Sequence, residues 1–428
     1  MTPLAHSRFA TVTVLGITQT LAWASSYYIP AMLAPAMAND LGLSTQAVFA
    51  AFSICLILSA LLGPWAGKMI DILGGRPVLV ATNLIFALGL ACLGLSEHIA
   101  VFLLGWLLVG VGMGAGLYEA AFATLVRLYG TQSRNAITGV TLFGGFASTV
   151  SWPLTGWLEV NYDWRIACFA WAALHIVVGL PLNALLPGLK KVHPGPSTQK
   201  SVAASANGRG HQAGAANAAP TAAVPVSVPE PRITSSEHTP PALSARRSLQ
   251  ASLLLALVFA NTWFISTALA AHLPALLQSA GLTLAGAVAL GALIGPAQVA
   301  GRLMEFGFLR HLHPLLAAKM ATLTHPIGAF LLLVLGGPAG MVFAILHGLG
   351  NGILTIAKGT LPLVIFGASG YGHRQGVLMM PARLAQATSP FVFGWMINAW
   401  GTGALVFSSA LGVVSFAALW VLGRITRA

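Results

Sequence analysis

The chain has 428 residues, 57% of them hydrophobic and only 7% charged, with a net charge of +12. A soluble domain carries about 25% charged residues, so this composition excludes a surface kept wholly in water and puts the outer face in lipid. There only helices and closed barrels satisfy every backbone group, and runs of about 20 apolar residues without alternation are helices, not barrel strands.

Twelve apolar segments are expected. The first six lie at approximately 9–37, 47–70, 78–95, 99–126, 136–158 and 166–186. The second six lie at approximately 249–277, 282–308, 314–335, 341–361, 376–398 and 403–422. The first run is too long for a secretory leader and lacks a small-residue cleavage site after it. Residues 190–247, rich in Ala, Ser, Pro and Gly, read as a flexible linker that cannot bury enough surface to offset its ordering entropy. The expected division is therefore a six-helix bundle at 1–189, the linker, and a second bundle at 248–428. His193, His211 and His238 are scattered through the linker without metal-ligand spacing.

With the N-terminus in the cytoplasm, Arg8, Lys68, Arg76, Arg127, Arg134, the linker bases, Arg310, Arg374, Arg424 and Arg427 fall on that side. The other side holds Asp40, Glu97, Glu159 and Asp163, with Arg165 as its one clear base. This is a positive-inside pattern, and it places both termini and the linker in the cytoplasm. The positive charge is thereby a loop bias, and no nucleic-acid partner is expected.

The two halves echo each other. Gly67-Lys68-Met69-Ile70-Asp71 reads against Gly301-Arg302-Leu303-Met304-Glu305, each after a Gly-Pro pair, at an offset of 234 (301 − 67). Tyr28-Ile29-Pro30 matches His272-Leu273-Pro274, and the glycine run from Gly110 matches that from Gly348. Ser133-Arg134 matches His373-Arg374, and Pro153 with Gly156-Trp157 matches Pro390 with Gly394-Trp395 to within one residue. The expected fold is all-α: twelve transmembrane helices in two parallel six-helix repeats, with a solute site between the halves.

These residues resemble the major facilitator superfamily. Its loop signature after the second helix, Gly-x-x-x-Asp-[Arg/Lys]-x-Gly-x-Arg, is matched by Gly67, Asp71, Gly74 and Arg76, with Ile72 where a base is usual. Trp164-Arg165 before the sixth helix is similar to a frequent family feature. Trp106 stands near where the fourth helix often has an arginine, and Trp152-Pro153 where the fifth-helix antiporter motif has Gly-Pro. The resemblance implies alternating access, a cavity lined by the first and seventh helices, and a cytoplasmic gate formed by Gly67, Asp71, Gly74 and Arg76. In that gate Asp71 faces a helix N-terminus and Arg76 holds a partner across the half-interface.

A charge at helix centre costs roughly 2.5–3.5 kcal/mol on insertion scales, so each needs a reason. Arg383 lies about 13 Å into the membrane from Arg374 at 1.5 Å per residue. It binds an anionic solute group or forms a structural pair with an acid or a helix C-terminus. Glu119 is a proton-coupling site or a fixed ion pair, for example with Arg127 or a fifth-helix base. Arg302 and Glu305 share a face; the repeat places them at the second gate, and as a switchable pair Glu305 is a second candidate for proton coupling. Lys358 contacts solute or snorkels to the interface. Gln19, Trp23, Tyr27, Tyr28 and the seventh-helix His272 are candidate pocket residues; Tyr27 and Tyr28 read equally as interfacial anchors.

The expected function is secondary transport of a small anionic solute with protons as coupling ion, by a monomer in a cytoplasmic (inner) membrane, with no cofactor. The alternative is efflux of drug-like or metalloid compounds, the latter requiring Cys55, Cys92 and Cys168 to converge. An enzyme is not expected: no phosphate loop, metal cluster or nucleophile elbow stands in a suitable context.

Overall fold

A computed structural model describes residues 7–188 and 243–427. The linker reading lies outside the described residues except at its end, where helix α11 already begins at Ala245 and takes in Arg246 and Arg247.

Every element is helical. The first passage is α1 (Arg8–Ala24) with α2 (Ile29–Asp40), the second α3 (Thr45–Leu73) and the third α4 (Gly75–Gly94). The fourth is α5 (Ile99–Gly116) with α6 (Tyr118–Tyr129), and the fifth α7 (Arg134–Gly144) with α8 (Ala147–Asn161). The sixth joins α9 (Trp164–Leu174) through a π-turn at His175–Gly179 to α10 (Leu180–Ala184). In the second half come α11 (Ala245–Ser279), α12 (Leu284–Ala292) with α13 (Ile294–Gly307), α14 (Pro314–Leu335), α15 (Gly340–Phe366), α16 (Tyr371–Trp400) and α17 (Ala404–Arg427). Grouped by continuity, these are twelve rods, six on each side of 189–242. Among the described residues nine stretches are long and apolar enough to cross a membrane, and two of these, of 63 and 56 residues, each contain two rods. Large apolar side chains such as Leu61, Trp65, Phe330 and Trp395 point outward, as a lipid-facing surface requires.

The apolar run at 9–37 is not one helix. Ser25 and Ser26 turn their hydroxyls back to the Ala22 carbonyl, and Pro30 in the first turn of α2 has no N–H to continue the ladder. The freed Ala24 carbonyl accepts from Ser151 Oγ of α8 at 2.7 Å. The fourth passage breaks at Leu117, where Gln19 Nε2 donates to the Gly116 carbonyl at 2.7 Å. That break puts Glu119 in the first turn of α6, at the helix end that favours an anion.

Long-range contacts sort the rod ends into two sets. One end gathers Arg8 with Gln132, Asp71 with Gly372, and Arg134 with Glu305 and Leu312. The other gathers Asp40 with Trp164 and Arg165, and Arg165 with the Ser96 carbonyl. The repeat shows in the packing: α5 packs on both α3 and α4 as α15 does on α13 and α14, except that α3 keeps a longer partner in α16. Along α3 and α16, which run antiparallel, Gly67 meets Gly372, Gly63 meets Gly376, and Ser53 Oγ donates to the Ala387 carbonyl at 3.2 Å. A Cβ on Gly67 would run into the Gly372 carbonyl, and one on Gly376 into the backbone of Gly63.

Two tests follow from this packing. Gly67→Ala overpacks a backbone contact and is expected to cost about 1–3 kcal/mol, lowering the melting temperature in detergent. Gly295→Ala, with nothing within 4 Å of its Cβ position, is expected to leave it unchanged. Beyond the apolar part of the first passage, hydrogen bonds from Arg165 and Trp164 hold the Asp40 carboxyl below its ordinary value of 3.8. The pair's contribution is complete above that value and fades as pH falls through the lowered one. Asp40→Asn is therefore expected to flatten the acid limb of melting temperature against pH.

Candidate functional site

The charged centre is one ion pair between the halves. Arg383 of α16 donates through Nη2 to Glu119 Oε2 of α6 at 2.8 Å. Arg383 is only 3% exposed. A buried pair of this kind loses about 3–5 kcal/mol when one partner is removed, because the other is left uncompensated. Two indoles flank it: Trp23 of α1 and Trp263 of α11 lie parallel, 6.0 Å apart and 5° from coplanar. The Arg383 guanidinium carbon lies 5.9 Å from the Trp23 ring and 5.8 Å from that of Trp263. Lys358 of α15 brings its Nζ to 4.2 Å from the same Trp263 ring, a cation–π contact in a desolvated setting.

Two basic side chains and one carboxylate therefore meet here. Lys358 is buried, and it is in none of the three ion pairs among the described residues. Donors remain uncommitted around the pair: Arg383 Nη1, Trp23 Nε1, Trp263 Nε1, the Tyr118 hydroxyl and the Gln386 amide are buried without partners. A cavity of about 230 Å³, lined by Ser59, Gly63, Glu119, Gly376 and Arg383 among others, opens beside the pair. The arrangement can accept an anion that supplies acceptors to Arg383 and Lys358.

The other first-passage candidates divide. Tyr27 packs edge-on to Trp23 at 5.4 Å and reaches Thr267 Oγ1 of α11 at 3.3 Å, so it joins the halves above the indoles. Tyr28 lies against Tyr27 and Trp152, further from the charges. Gln19 closes the α5–α6 break, with its Oε1 buried and unpartnered. His272 bonds the Pro390 carbonyl at 2.7 Å and packs over Gly394 in its own half, away from Arg383.

At one rod end a polar latch joins the halves. Asp71 accepts from the Gly372 and His373 amides at the N-terminus of α16, both at 2.9 Å, while Arg127 Nε donates to the Asp71 carbonyl at 3.1 Å. Gly74, at φ +83°, ends α3 in a conformation that L side chains rarely adopt. On the other side of the half-interface Arg134 pairs with Glu305 at 3.0 Å, and Arg302 Nη1 donates to the Thr141 carbonyl at 3.0 Å where α7 breaks at Gly145.

Three expectations are corrected here. Arg76 does not cross the half-interface: it is exposed at the start of α4 and lies near Gly188 of its own half. Arg302 and Glu305 do not bond each other; both reach to α7. Lys358 does not snorkel, because the Trp263 face holds its ammonium inside. Nor do the cysteines converge: Cys55 contacts Met113 Sδ, and among the described residues no three His, Cys, Asp or Glu side chains are grouped for a metal. Trp263, Tyr118 and Arg134 were missed. Trp263 shares α11 with His272, and an indole in mid-passage was its available signal.

Helical rods of membrane length, an apolar outer face and a charged pair buried between two repeated halves define a polytopic membrane transporter. The chain belongs to the Major Facilitator Superfamily, whose sequence model matches residues 15–339. Multidrug resistance protein MdtL of Salmonella typhimurium is 33% identical over 150 residues, covering 34% of this chain and 37% of MdtL. The chain aligns with less than half the length of the curated relatives it matches. Among solved structures, the Escherichia coli fucose:proton symporter FucP superposes with a TM-score of 0.68 at 14% identity, over 97% of this chain and 99% of that one. The human organic anion transporter MFSD10 gives 0.64 at 19% identity, over 98% and 100%. These likenesses show the fold.

If Arg383 and Glu119 are mutually dependent, Arg383→Met and Glu119→Leu are each expected to lower the melting temperature, by about 3–5 kcal/mol of lost stability. The double variant should recover most of it. Additive losses in a thermal double-mutant cycle would show that the pair is not energetically coupled.

Proposed function

We propose that this chain is a proton-coupled carrier of a small anionic solute, working by alternating access in the cytoplasmic membrane. The observation that carries the reading is the excess of basic side chains over carboxylates around Trp23 and Trp263, Arg383 and Lys358 against Glu119. Without solute, Glu119 neutralises Arg383. An arriving anion takes the guanidinium in its place, and the released carboxylate is the group offered to the coupling proton. Solute and proton then cross together. Glu305 belongs to the latch with Arg134, so the coupling role falls to Glu119. Trp23 and Tyr27 line the path, with Gln19, Tyr28 and His272 holding its walls.

The latch at Asp71, Arg134 and Arg302 closes the end that the loop charges assign to the cytoplasm. The two bundles, 1–189 and 248–428, rock about the central pair, and a monomer suffices because the site is complete within one chain. FucP, a fucose:proton symporter, and MFSD10, an organic anion transporter, are in keeping with this reading. The similarity to MdtL, together with the aromatic cluster around Trp23, favours a second reading, export of drug-like compounds.

Proteoliposomes with an imposed pH gradient, screened over monocarboxylates, sugar acids, oxyanions and cationic dyes, separate the two. An acid is expected to accumulate, with KM raised about a hundredfold by Arg383→Ala, as loss of charged hydrogen bonds worth roughly 3 kcal/mol implies. Glu119→Gln should retain exchange of solute but lose accumulation driven by pH. Transport of dyes alone, indifferent to Arg383→Ala, would refute the anion reading and support export.

A further inference from the structure

Each half carries a histidine buried among its own helices, and the two are not equivalent. In the first half both ring nitrogens of His175 are engaged, Nε2 with Ser25 Oγ at 2.7 Å and Nδ1 with Asn83 Oδ1 at 2.9 Å. That is a satisfied structural histidine. In the second half His325 of α14 bonds Ser408 Oγ of α17 at 3.0 Å through Nε2. Its Nδ1 is buried without a partner. A second imidazole, His347 of α15, stands 5.2 Å from it, edge to face. Both rings line a cavity of about 330 Å³ whose other polar walls are Thr262, Thr322, Thr324 and Asn351.

We propose that His325 and His347 form a proton-binding site inside the C-terminal bundle, separate from the Glu119–Arg383 pair. Two imidazoles this close hold one proton and not two, because the second would add a like charge. The proton comes from water and no other group changes. The unpartnered Nδ1 of His325 supplies the site for the added proton. Asn351 commits its amide nitrogen to Ser266 Oγ at 2.9 Å, which leaves its carbonyl oxygen to accept from an imidazolium. The polar walls offer partners to a water.

Charged groups on the surrounding helices stand off. On α14 the nearest is Lys319, six residues or about 9 Å along the helix from His325. Lys358 on α15 is about 16 Å beyond His347, and His272 on α11 about 15 Å beyond Thr262. Arg424 on α17 is about 24 Å from Ser408. On α13, which carries Arg302 and Glu305 at its far end, the facing residues are Ile294, Ala297 and the uncharged Gln298. With no carboxylate at hand, the pair's charge is set by the pH to which the cavity is open.

Thr262 lines this cavity, and the next residue, Trp263, stacks on Trp23 and holds Lys358. A charge gained on one side of α11 is thus felt one residue from the solute site. Resting on the proton-coupled reading, this makes the C-terminal bundle a second carrier of the coupling ion.

The test needs no solute. The full chain, labelled with ¹⁵N-histidine in nanodiscs, is titrated from about pH 8 to about pH 5, the range in which imidazoles change charge. The expected result is one proton shared by two resonances that move together and are assigned by their loss in His325→Gln and His347→Asn. His175→Asn should leave them in place. Tryptophan emission lost in Trp263→Phe should change with the same midpoint, and not in His347→Asn. Rings that stay neutral to about pH 5 while the protein remains folded, or that titrate independently of each other, overturn the proposal. Either result leaves the anion site, tested by Arg383→Ala, untouched.

Discussion

The contact on which the site depends is the backbone approach of α3 to α16. Gly67 against Gly372 and Gly63 against Gly376 fix the register of two antiparallel rods from different halves. Arg383 follows Gly376 by seven residues, about two turns, and so returns to the same face. That face is where α6 presents Glu119. A larger residue at Gly376 would lift α16 from α3 and carry the guanidinium away from its carboxylate. The small residues therefore act on the charge centre at a distance: they set the separation at which a 2.8 Å ion pair between halves can form.

The halves share an ancestry and differ in continuity. In the first, three of the rods that face the centre are broken, at Ser25–Tyr28, at Leu117 and at Gly145, and each break is met by a polar group. Ser151 takes the Ala24 carbonyl, Gln19 the Gly116 carbonyl and Arg302 the Thr141 carbonyl. In the second half, α11, α15 and α16 run unbroken for 35, 27 and 30 residues. Unwound backbone in a membrane survives only where protein or water satisfies it. The broken rods thus bring polar atoms to the centre at low cost, while the continuous rods carry the cations Lys358 and Arg383.

Much of this was legible in the chain. Apolar runs of membrane length follow from the insertion cost of polar residues, which is a local property, and the echo of Gly67–Asp71 in Gly301–Glu305 is read directly from the order of residues. The same cost singled out Glu119 and Arg383. That they meet each other was not legible, because residues 264 apart are joined only by packing. Trp263 escaped notice because an indole in a lipid span needs no justification until a cation lies on its face. Arg76 was misjudged because a motif gives residue type and order, while whether its side chain spans the interface depends on rods outside the motif. Asp71, by contrast, needed only a helix N-terminus, and the start of α16 is one.

The missing base at Ile72 has an energetic meaning. The latch rests on backbone amides to Asp71, one Arg134–Glu305 pair and one Arg302–carbonyl bond. Hydrogen bonds to charged groups contribute about 1.5–3 kcal/mol each. Arg134 is partly exposed, so its share is at the low end. The sum is then roughly 5–10 kcal/mol, at or above the roughly 5.5 kcal/mol that carries a two-state equilibrium from 1:99 to 99:1. Ile72 is 57% exposed, so a base there would add only a screened surface pair of about 0–1 kcal/mol. The strength of the latch is therefore set by Asp71, Arg134 and Arg302, and the isoleucine at position 72 costs it little.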